Sequence, residues 1–225
     1  MKSILSKVNI SINDQIFLKD PNSSDLGRKI ISGSIELIEL LGFEDFTFKK
    51  LAVSINSTEA SIYRYFDNKH YLLLYLVHWY WEWLDYKMML SVMNVDCPKE
   101  RLNRCINLIT SRATVDNDFT QINEVKLQNI VIAESAKVYL CKQVDADNDL
   151  GMYKPYKDVV QRLSQIILEI SPKYKYPHML VSTIIEGSNH QRYFATHLPK
   201  LTDVVEGEDA VTSFYQELAL KLIKN

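Results

Sequence analysis

The chain has 225 residues, of which 47% are hydrophobic and 24% are charged, a balance that is ordinary for a folded protein with a large core. Its formal net charge of −2 excludes a strong overall basic field, so any surface for nucleic acid has to be local. Three cysteines without a CxxC spacing favour reduced thiols in the cytoplasm over a disulfide framework or a zinc site.

Helical periodicity dominates the sequence, and no segment shows a convincing strand alternation. The first helix follows the turn cluster DPNSSD, and its apolar residues recur at three-to-four spacing through IISGSIELIELL. Gly42 stands where a left-handed residue ends a helix, and Phe43 can fold back onto the last turn. We therefore predict that this helix ends at Gly42.

Two short helices follow. Thr47 is a candidate N-cap for FKKLAVSI, Asn56 can supply a left-handed turn, and Ser57 or Thr58 can cap EASIYRYF. Ile62 and Phe66 lie four residues apart, so we expect both on the buried side of the third helix. Two short helices joined by such a turn are typical of a helix-turn-helix unit, whose second helix enters the major groove of DNA.

The third helix carries small and hydroxyl-bearing residues on its other side. Thr58 and Ser61 can donate hydrogen bonds to phosphates or base edges, and Tyr63 and Arg64 can reach a phosphate or a guanine. Lys69 begins the next helix, where its charge and the free N–H groups of the first turn can engage a phosphate. This pattern predicts that the polar side of the third helix contacts DNA.

A long fourth helix is predicted over residues 69–90 and contains the run YLLLYLVHWYW. A membrane span needs roughly 20 apolar residues, so this run predicts a buried helix without a membrane role. Its aromatic residues fit either an effector pocket or plain core packing. The candidate effector contacts are His78, Trp79, Trp83 and Tyr86, although His78 also fits a hydrogen-bonded core histidine.

Five more helices are predicted in the remainder of the chain. The fifth begins at Pro98 and runs to about residue 113, the sixth covers about residues 119–144, and the polar stretch DADNDLGMYKP is predicted to separate it from the seventh. The last three comprise YKDVVQRLSQIILEI, HMLVSTIIEGSNHQRYFATHL and AVTSFYQELALKLIK. The prediction is an all-α protein of about nine helices, with a three-helix head at residues 1–68 and a larger helical body at residues 69–225.

Residue patterns for catalysis or metal binding are weak. His190 and His197 can share a helix face, but Glu186 is the only obvious further ligand nearby, so we predict a polar pair and no metal site. The sequence has no P-loop, GxGxxG, HExxH or nucleophile elbow. We accordingly predict neither an enzyme nor a resident cofactor.

The segment IELIELLGFEDFTFKKLAVSINSTEASIYRYFDNKHYLLLYL resembles the N-terminal signature of the TetR (tetracycline-repressor) family of bacterial regulators. The shared features are a first helix ending in Gly-Phe, a Thr before the second helix and Leu-Ala within it. A hydroxyl-rich third helix ending in Tyr-x-Tyr-Phe and a Lys opening the fourth complete the pattern. The chain departs from it at Asn56-Ser57, where the family usually has Gly followed by an apolar residue, and at the acidic Glu59.

This resemblance implies a cytoplasmic homodimer that binds a two-fold symmetric double-stranded DNA operator through two heads. The last two long helices would form the dimer interface, and a small-molecule effector bound in the body would release the DNA, most commonly as a repressor. Carried over position by position, the residues expected to meet phosphates are Thr47, Tyr63, Tyr65 and Lys69. Those expected to face bases or the groove wall are Thr58, Glu59, Ala60, Ser61 and Arg64.

A second function stays open because the head is not basic. Residues 1–70 contain nine Lys and Arg and nine Asp and Glu, a net charge of zero. Non-specific affinity for DNA should then be modest and strongly dependent on salt. The alternative is a protein-interaction module that has the same fold and has lost specific DNA binding.

Overall fold

A computed structural model describes residues 10–114 and 122–223, and all regular secondary structure in these ranges is helical. This confirms the all-α prediction. The α-helices of the described ranges are α1 Asp25–Asp45, α2 Phe48–Ser54, α3 Glu59–Tyr63, α4 Lys69–Val92, α5 Pro98–Thr110, α6 Glu124–Glu134, α7 Ala136–Tyr139, α8 Val144–Asp149, α9 Lys154–Ile170, α10 Pro177–His197 and α11 Ala210–Leu222. Single 3-10 turns cover Asp14–Ile16, Pro21–Ser23 and Pro199–Leu201.

The chain divides into two compact units. The first comprises Met1–Glu82 with Ala113–Lys154, and the second comprises Trp83–Arg112 with Pro155–Asn225. The first unit thus combines the three N-terminal helices with the beginning of α4 and with α6–α8. The predicted domain division after residue 68 stays a prediction.

Helix α1 begins at an N-cap and is kinked near its end. The side chain of Ser24 accepts a hydrogen bond from the amide of Gly27, which satisfies one of the unpaired N–H groups of the first turn. Gly42 has φ 76°, so the predicted left-handed residue is confirmed, and a further turn runs on to Asp45. Gly33 lies where a β-carbon would stand 2.5 Å from Ile55, so its lack of a side chain permits the close approach of α1 to the end of α2.

Helices α2 and α3 are closed by the predicted caps. Thr47 accepts a hydrogen bond from the amide of Lys50 at 3.2 Å, and Thr58 accepts one from the amide of Ser61 at 3.3 Å. Asn56 has φ 54°, which confirms the predicted left-handed turn between the two helices. These local interactions hold two very short helices that propensity alone could not maintain in water.

The first half of α4 is buried, as predicted. Every residue from 72 to 81 is shielded from solvent. None of the helices within the described ranges has the length and apolar content that a bilayer crossing requires. The aromatic run is therefore an interior helix, and whether its side chains line an effector pocket or only pack stays a prediction.

The predicted sixth helix is wrong as a single element. Within the predicted range the structure has α6 and α7, and α8 begins only at its last residue, Val144; residues 119–121 of that prediction lie outside the described residues. The carbonyl of Val138 accepts a hydrogen bond from the hydroxyl of Tyr153 at 2.7 Å, and Leu140 leaves the helical conformation with ψ 50°. The first five residues of the stretch predicted as a break lie in α8, whose first turn carries Asp145 and Asp147, where acidic residues favour a helix N-terminus; the break follows around Gly151.

In the second unit, α5, α10 and α11 are joined by one arginine. The guanidinium of Arg192 donates to the carbonyl of Thr110 at 2.8 Å and to both carboxylate oxygens of Asp209 at 2.6 and 2.7 Å. Asp209 in turn caps α11 by accepting from the amide of Thr212 at 3.3 Å. This network fixes the start of α11 against the end of α5 and against α10.

Candidate nucleic-acid interface

The polar side of α3 faces solvent. We define the α3 surface as the exposed residues Thr58, Glu59, Ala60, Tyr63 and Arg64 together with half-buried Ser61. On the opposite side of α3, Ile62 is completely buried as predicted; Phe66 is also completely buried but follows three residues after the helix ends at Tyr63. The helix therefore has an apolar side that packs into the first unit and a polar side that no described residue covers.

Two hydroxyl groups stand together at the beginning of α3. The side-chain oxygens of Thr58 and Ser61 are 2.8 Å apart, and the Thr58 oxygen also caps the helix. A hydroxyl oxygen has two acceptor positions and one donor, so this pair keeps hydrogen-bonding capacity for an incoming group. Ala60 adds no bulk beside them, which allows a close approach of another molecule to the helix.

Tyr63 presents a phenol on a fixed ring. The ring packs edge-on against Phe48 of α2, with centroids 5.0 Å apart, and 47% of the residue remains exposed. Its hydroxyl has no hydrogen-bond partner among the residues that the structure describes. Because the ring is held in place by Phe48 and the hydroxyl faces solvent, the hydroxyl is suited to donating a hydrogen bond to a phosphate oxygen.

Exposed positive charge is present on α2 and at the end of α3 although the head is neutral as a whole. Arg64 and Lys49 are both exposed, and neither has an ion-pair partner within the described ranges. Lys49 lies on α2 and was missed by the sequence analysis, since nothing in its position distinguishes it from other surface lysines. The carboxylate of Glu44 is neutralised by Lys137 at 2.7 Å, and this contact lowers the pKa of Glu44.

Tyr65 lies away from the α3 surface. Only 3% of the residue is exposed, and its hydroxyl lies 2.7 Å from the hydroxyl of Ser24. That hydrogen bond lowers the pKa of the Tyr65 phenol. The structure thus gives Tyr65 a packing position instead of the predicted phosphate contact, and we leave it out of the proposed interface.

Lys69 also contacts the protein instead of facing outward. Its ammonium donates to the carbonyls of Phe43 at 2.9 Å, Glu44 at 3.1 Å and Phe46 at 3.2 Å, and it lies 4.7 Å from the ring centroid of Phe43. These carbonyls follow the kink at Gly42, where helix-end carbonyls need partners. All three donor positions of the ammonium are occupied, so the predicted phosphate contact is not available in this arrangement. Thr47 is exposed and caps α2, and its predicted phosphate contact stays a prediction.

The predicted effector contacts are distributed over both units. His78 and Trp79 belong to the first unit, and Trp83 and Tyr86 belong to the second. His78, Trp79 and Trp83 are buried, and Tyr86 is half-buried. The ring of His78 donates through Nδ1 to the carbonyl of Met152 at 3.0 Å, and burial lowers its pKa. His78 is thus a hydrogen-bonded core histidine, and effector contact by the other three stays a prediction.

Two cavities lie elsewhere, in the second unit. One of about 420 Å³ is lined by Lys99, Ile170, Ser171, Pro172, Lys173, Leu220 and Ile223. The other, of about 220 Å³, is lined by Gln191, Leu201, Thr202, Asp203, Ala210, Val211 and Phe214. Neither of these two cavities is lined by the predicted effector contacts.

The two histidines of α10 contact aromatic rings. The ring of His190 stacks on Phe194 with centroids 6.0 Å apart, and that of His197 lies 4.3 Å from Tyr193. Glu186, the only further ligand that the sequence offered, accepts a hydrogen bond from Tyr156 at 2.7 Å. The structure therefore pairs each histidine with a neighbouring ring and gives Glu186 a separate partner.

Residues 30–76 match the family described as bacterial regulatory proteins, tetR family. The match covers α1 from Ile30 onward, α2, α3 with the α3 surface, and the first turns of α4. No curated protein sequence matches the chain.

Solved structures share the fold at low identity. The fatty acid degradation regulator FadR from Bacillus halodurans is 15% identical with a TM-score of 0.59, over 87% of this chain and 93% of that one. AibR, crystallised in complex with isovaleryl coenzyme A and operator DNA, is 17% identical with a TM-score of 0.54, over 87% and 98%. The superantigen PfiT is 16% identical with a TM-score of 0.55, over 90% and 97%. At these identities the likeness concerns the fold alone.

Proposed function

Since this chain carries the N-terminal domain of the tetR family of bacterial regulatory proteins, we propose that it is a transcriptional regulator that binds a two-fold symmetric DNA operator as a homodimer. A small molecule bound in its body would release it from the operator, which makes it a repressor. The observation that carries this proposal is the α3 surface, on which hydroxyl, phenol and guanidinium groups face solvent, while Ile62 on the helix and Phe66 just after it are completely buried.

The proposed DNA contacts divide into two classes. Thr47, Lys49 and Tyr63 would contact phosphates, which position the protein without reading the sequence. Thr58, Glu59, Ala60, Ser61 and Arg64 would face the major groove, where Arg can bind a guanine and Glu can accept from a cytosine amino group.

The dimer would form through α10 and α11, the last two long helices. Both carry exposed apolar residues, including Met179 and Tyr193 on α10 and Phe214 and Leu222 on α11. Apolar side chains concentrated on an exposed face are typical of protein–protein contacts. Two heads held in one dimer would meet half-sites about one helical turn of DNA apart.

The effector proposal draws on the fold neighbours. AibR was crystallised with isovaleryl coenzyme A as well as operator DNA, so the same fold holds a small molecule in that protein. The cavity of about 420 Å³ in the second unit has the size of a small-molecule site and contains two lysines, Lys99 and Lys173. An anionic effector would suit that lining.

The test is a mobility shift with DNA from the region upstream of the gene, repeated at several salt concentrations. Tyr63→Phe keeps the ring on Phe48 and removes the hydroxyl, so it should weaken binding to operator and random DNA by the same factor.

Arg64→Ala should cost roughly 1–3 kcal/mol on the operator and much less on random DNA, because it removes a base contact. Lys200→Ala, at an exposed lysine far along the chain, serves as the control and should bind like the wild type.

The alternative is a protein-interaction module, which PfiT supports because a protein described as a superantigen has this fold. The neutral head and the missing apolar residue at Ser57 favour the same alternative. If the protein retards none of the upstream DNA fragments even at low salt, the interaction module is the better explanation. Equal losses on operator and random DNA for Arg64→Ala would instead show that Arg64 does not read bases.

A further inference from the structure

Three side chains with metal-binding atoms meet inside the first unit. His70 lies in the first turn of α4, Cys141 lies between α7 and α8, and Asp147 lies on α8. One ligand atom of each (an imidazole nitrogen, the thiol sulfur and a carboxylate oxygen) lies within 4.8 Å of the other two. His70 and Asp147 are 77 residues apart in sequence, so no short motif could have indicated the group.

The carboxylate of Asp147 is buried, with only 1% of its side chain exposed. Its contacts are Nε2 of His70 at 3.3 Å, the hydroxyl of Tyr153 at 3.4 Å and the hydroxyl of Tyr71 at 3.5 Å. Hydroxyl groups normally approach a carboxylate to about 2.5–2.7 Å. His70 is an ion-pair partner of this carboxylate only when its imidazole is protonated, and no Lys or Arg of the described ranges pairs with it, although buried charges are normally paired or bound to metal.

The spacing of these atoms fits a tetrahedral ion. Zinc binds imidazole nitrogen and carboxylate oxygen at about 2.0–2.1 Å, which places two such ligand atoms roughly 3.3 Å apart at the tetrahedral angle. The observed distance between Nε2 of His70 and Oδ2 of Asp147 is 3.3 Å. Among the described residues, the thiol of Cys141 donates one long hydrogen bond, to the carbonyl of Val138 at 3.5 Å, so rotation of its side chain toward the other two ligands breaks no strong bond.

We propose that His70, Cys141 and Asp147 form a binding site for Zn²⁺ or a transition-metal ion of similar chemistry, with water as the fourth ligand. An imidazole, a thiolate and a carboxylate together favour such an ion over Mg²⁺ or Ca²⁺, which prefer oxygen ligands. On binding, the Cys141 thiol releases its proton to solvent, and the resulting thiolate coordinates the metal. Tyr71 and Tyr153 would orient the carboxylate by hydrogen bonding around the metal ligands.

Cobalt provides a direct test on the full chain without an affinity tag. Chelator-treated, reduced protein is titrated with Co²⁺ while absorption is recorded, and Zn²⁺ is then added to displace it. We expect one ion per chain, ligand-field bands of a tetrahedral site and a thiolate-to-cobalt charge-transfer band. Cys141→Ser should abolish the charge-transfer band, whereas Cys97→Ser, at an exposed cysteine, should keep it.

Affinity and stability supply independent readouts. His70→Gln and Asp147→Asn should lower the affinity for Zn²⁺ by more than the roughly 10–100-fold that residues around the ligands cost. Zn²⁺ should raise the melting temperature of wild type and Cys97→Ser but not of Cys141→Ser, because an ion that binds only the folded chain stabilises it. If Asp147→Asn fails to fold, the half-buried Cys141 still provides the test through its serine variant.

A wild-type protein that shows no thiolate band with Co²⁺, or a Cys141→Ser variant that keeps it, overturns the proposal. The inference does not depend on DNA binding, and the two failures are distinct. A chain that binds Co²⁺ through Cys141 but retards no DNA has the metal site without the proposed regulatory function.

Discussion

Individual side chains in the head carry structural roles that their sequence positions do not reveal. Lys69 and Tyr65 were both expected at DNA, yet Lys69 satisfies three carbonyls of the segment Phe43–Phe46 and Tyr65 packs beside Ser24. Their partners lie between 23 and 41 residues away in sequence. Which role such a residue takes is decided by tertiary packing.

Lys69→Met tests the structural role directly. Hydrogen bonds from a charged group contribute about 1.5–3 kcal/mol each in favourable cases, and Lys69 is half-buried, so we expect a loss of about 1.5–3 kcal/mol in total. Urea unfolding measures this change. Lys49→Met, at an exposed lysine of α2, is the matched control and should stay within about 0.5 kcal/mol of wild type. A Lys69→Met variant as stable as that control would show that the three contacts do not stabilise the head.

His78 should make the stability of the protein depend on pH. Burial lowers its pKa, and Glu82 at 3.9 Å from Nε2 is beyond hydrogen-bond distance and does not reverse this. The stabilisation that neutral His78 contributes is complete above the pKa of histidine in the unfolded chain, about 6.5. It is lost as the pH falls from there through the pKa of His78 in the folded protein, at up to about 1.4 kcal/mol per pH unit.

His78→Gln should therefore flatten the dependence of the unfolding free energy on pH below neutrality. Urea unfolding of wild type and variant on both sides of pH about 6.5 measures the difference in slope. His178→Gln, at an exposed histidine, should leave the slope as in wild type. A slope that survives in His78→Gln would assign the effect to another group.

At the scale of elements, the turn between α2 and α3 determines how the α3 surface is presented. Asn56 is left-handed in this turn, with φ 54° and an exposed side chain. Asn56→Ala should destabilise the protein by about 1–2 kcal/mol because of the clash of a β-carbon in that conformation. Asn56→Gly, which adopts it freely, should be as stable as wild type or nearly so. Equal midpoints of thermal unfolding for the two variants would refute this explanation.

Elements defined by local chemistry could be predicted, and those defined by distant contacts could not. Gly42 and Asn56 are left-handed as predicted because small or polar residues at helix ends act through their own backbone. The predicted sixth helix instead ends at Tyr139, next to Val138, whose carbonyl accepts a hydrogen bond from the hydroxyl of Tyr153, 15 residues further along the chain. Periodicity detects apolar faces, but it contains no information on such a hydrogen bond.

At the scale of the whole molecule, the proposed dimer is the feature on which operator recognition rests. Phe214 on α11 is 56% exposed, and Phe214→Glu should convert the dimer to a monomer, because a charge would be buried at the contact. Light scattering coupled to size exclusion measures the mass. Leu140→Glu changes an 86% exposed leucine outside α10 and α11 and should stay dimeric. Wild type that is monomeric at all concentrations, or Phe214→Glu that remains a dimer, would contradict the interface.

The corner between α1 and α2 is held by side chains from α4, α6 and α7 within the first unit. Lys69 enters from α4, while Glu134 at the end of α6 accepts from the amide of Phe43 at 3.0 Å and Lys137 of α7 reaches Glu44. These contacts tie the end of α1 to the first turn of α4, to the end of α6 and to α7 within the first unit. In the proposed dimer, a change in the distance between two heads would therefore move the three N-terminal helices together with α6. Amide protons at the corner should be among the slowest in the head to exchange with solvent.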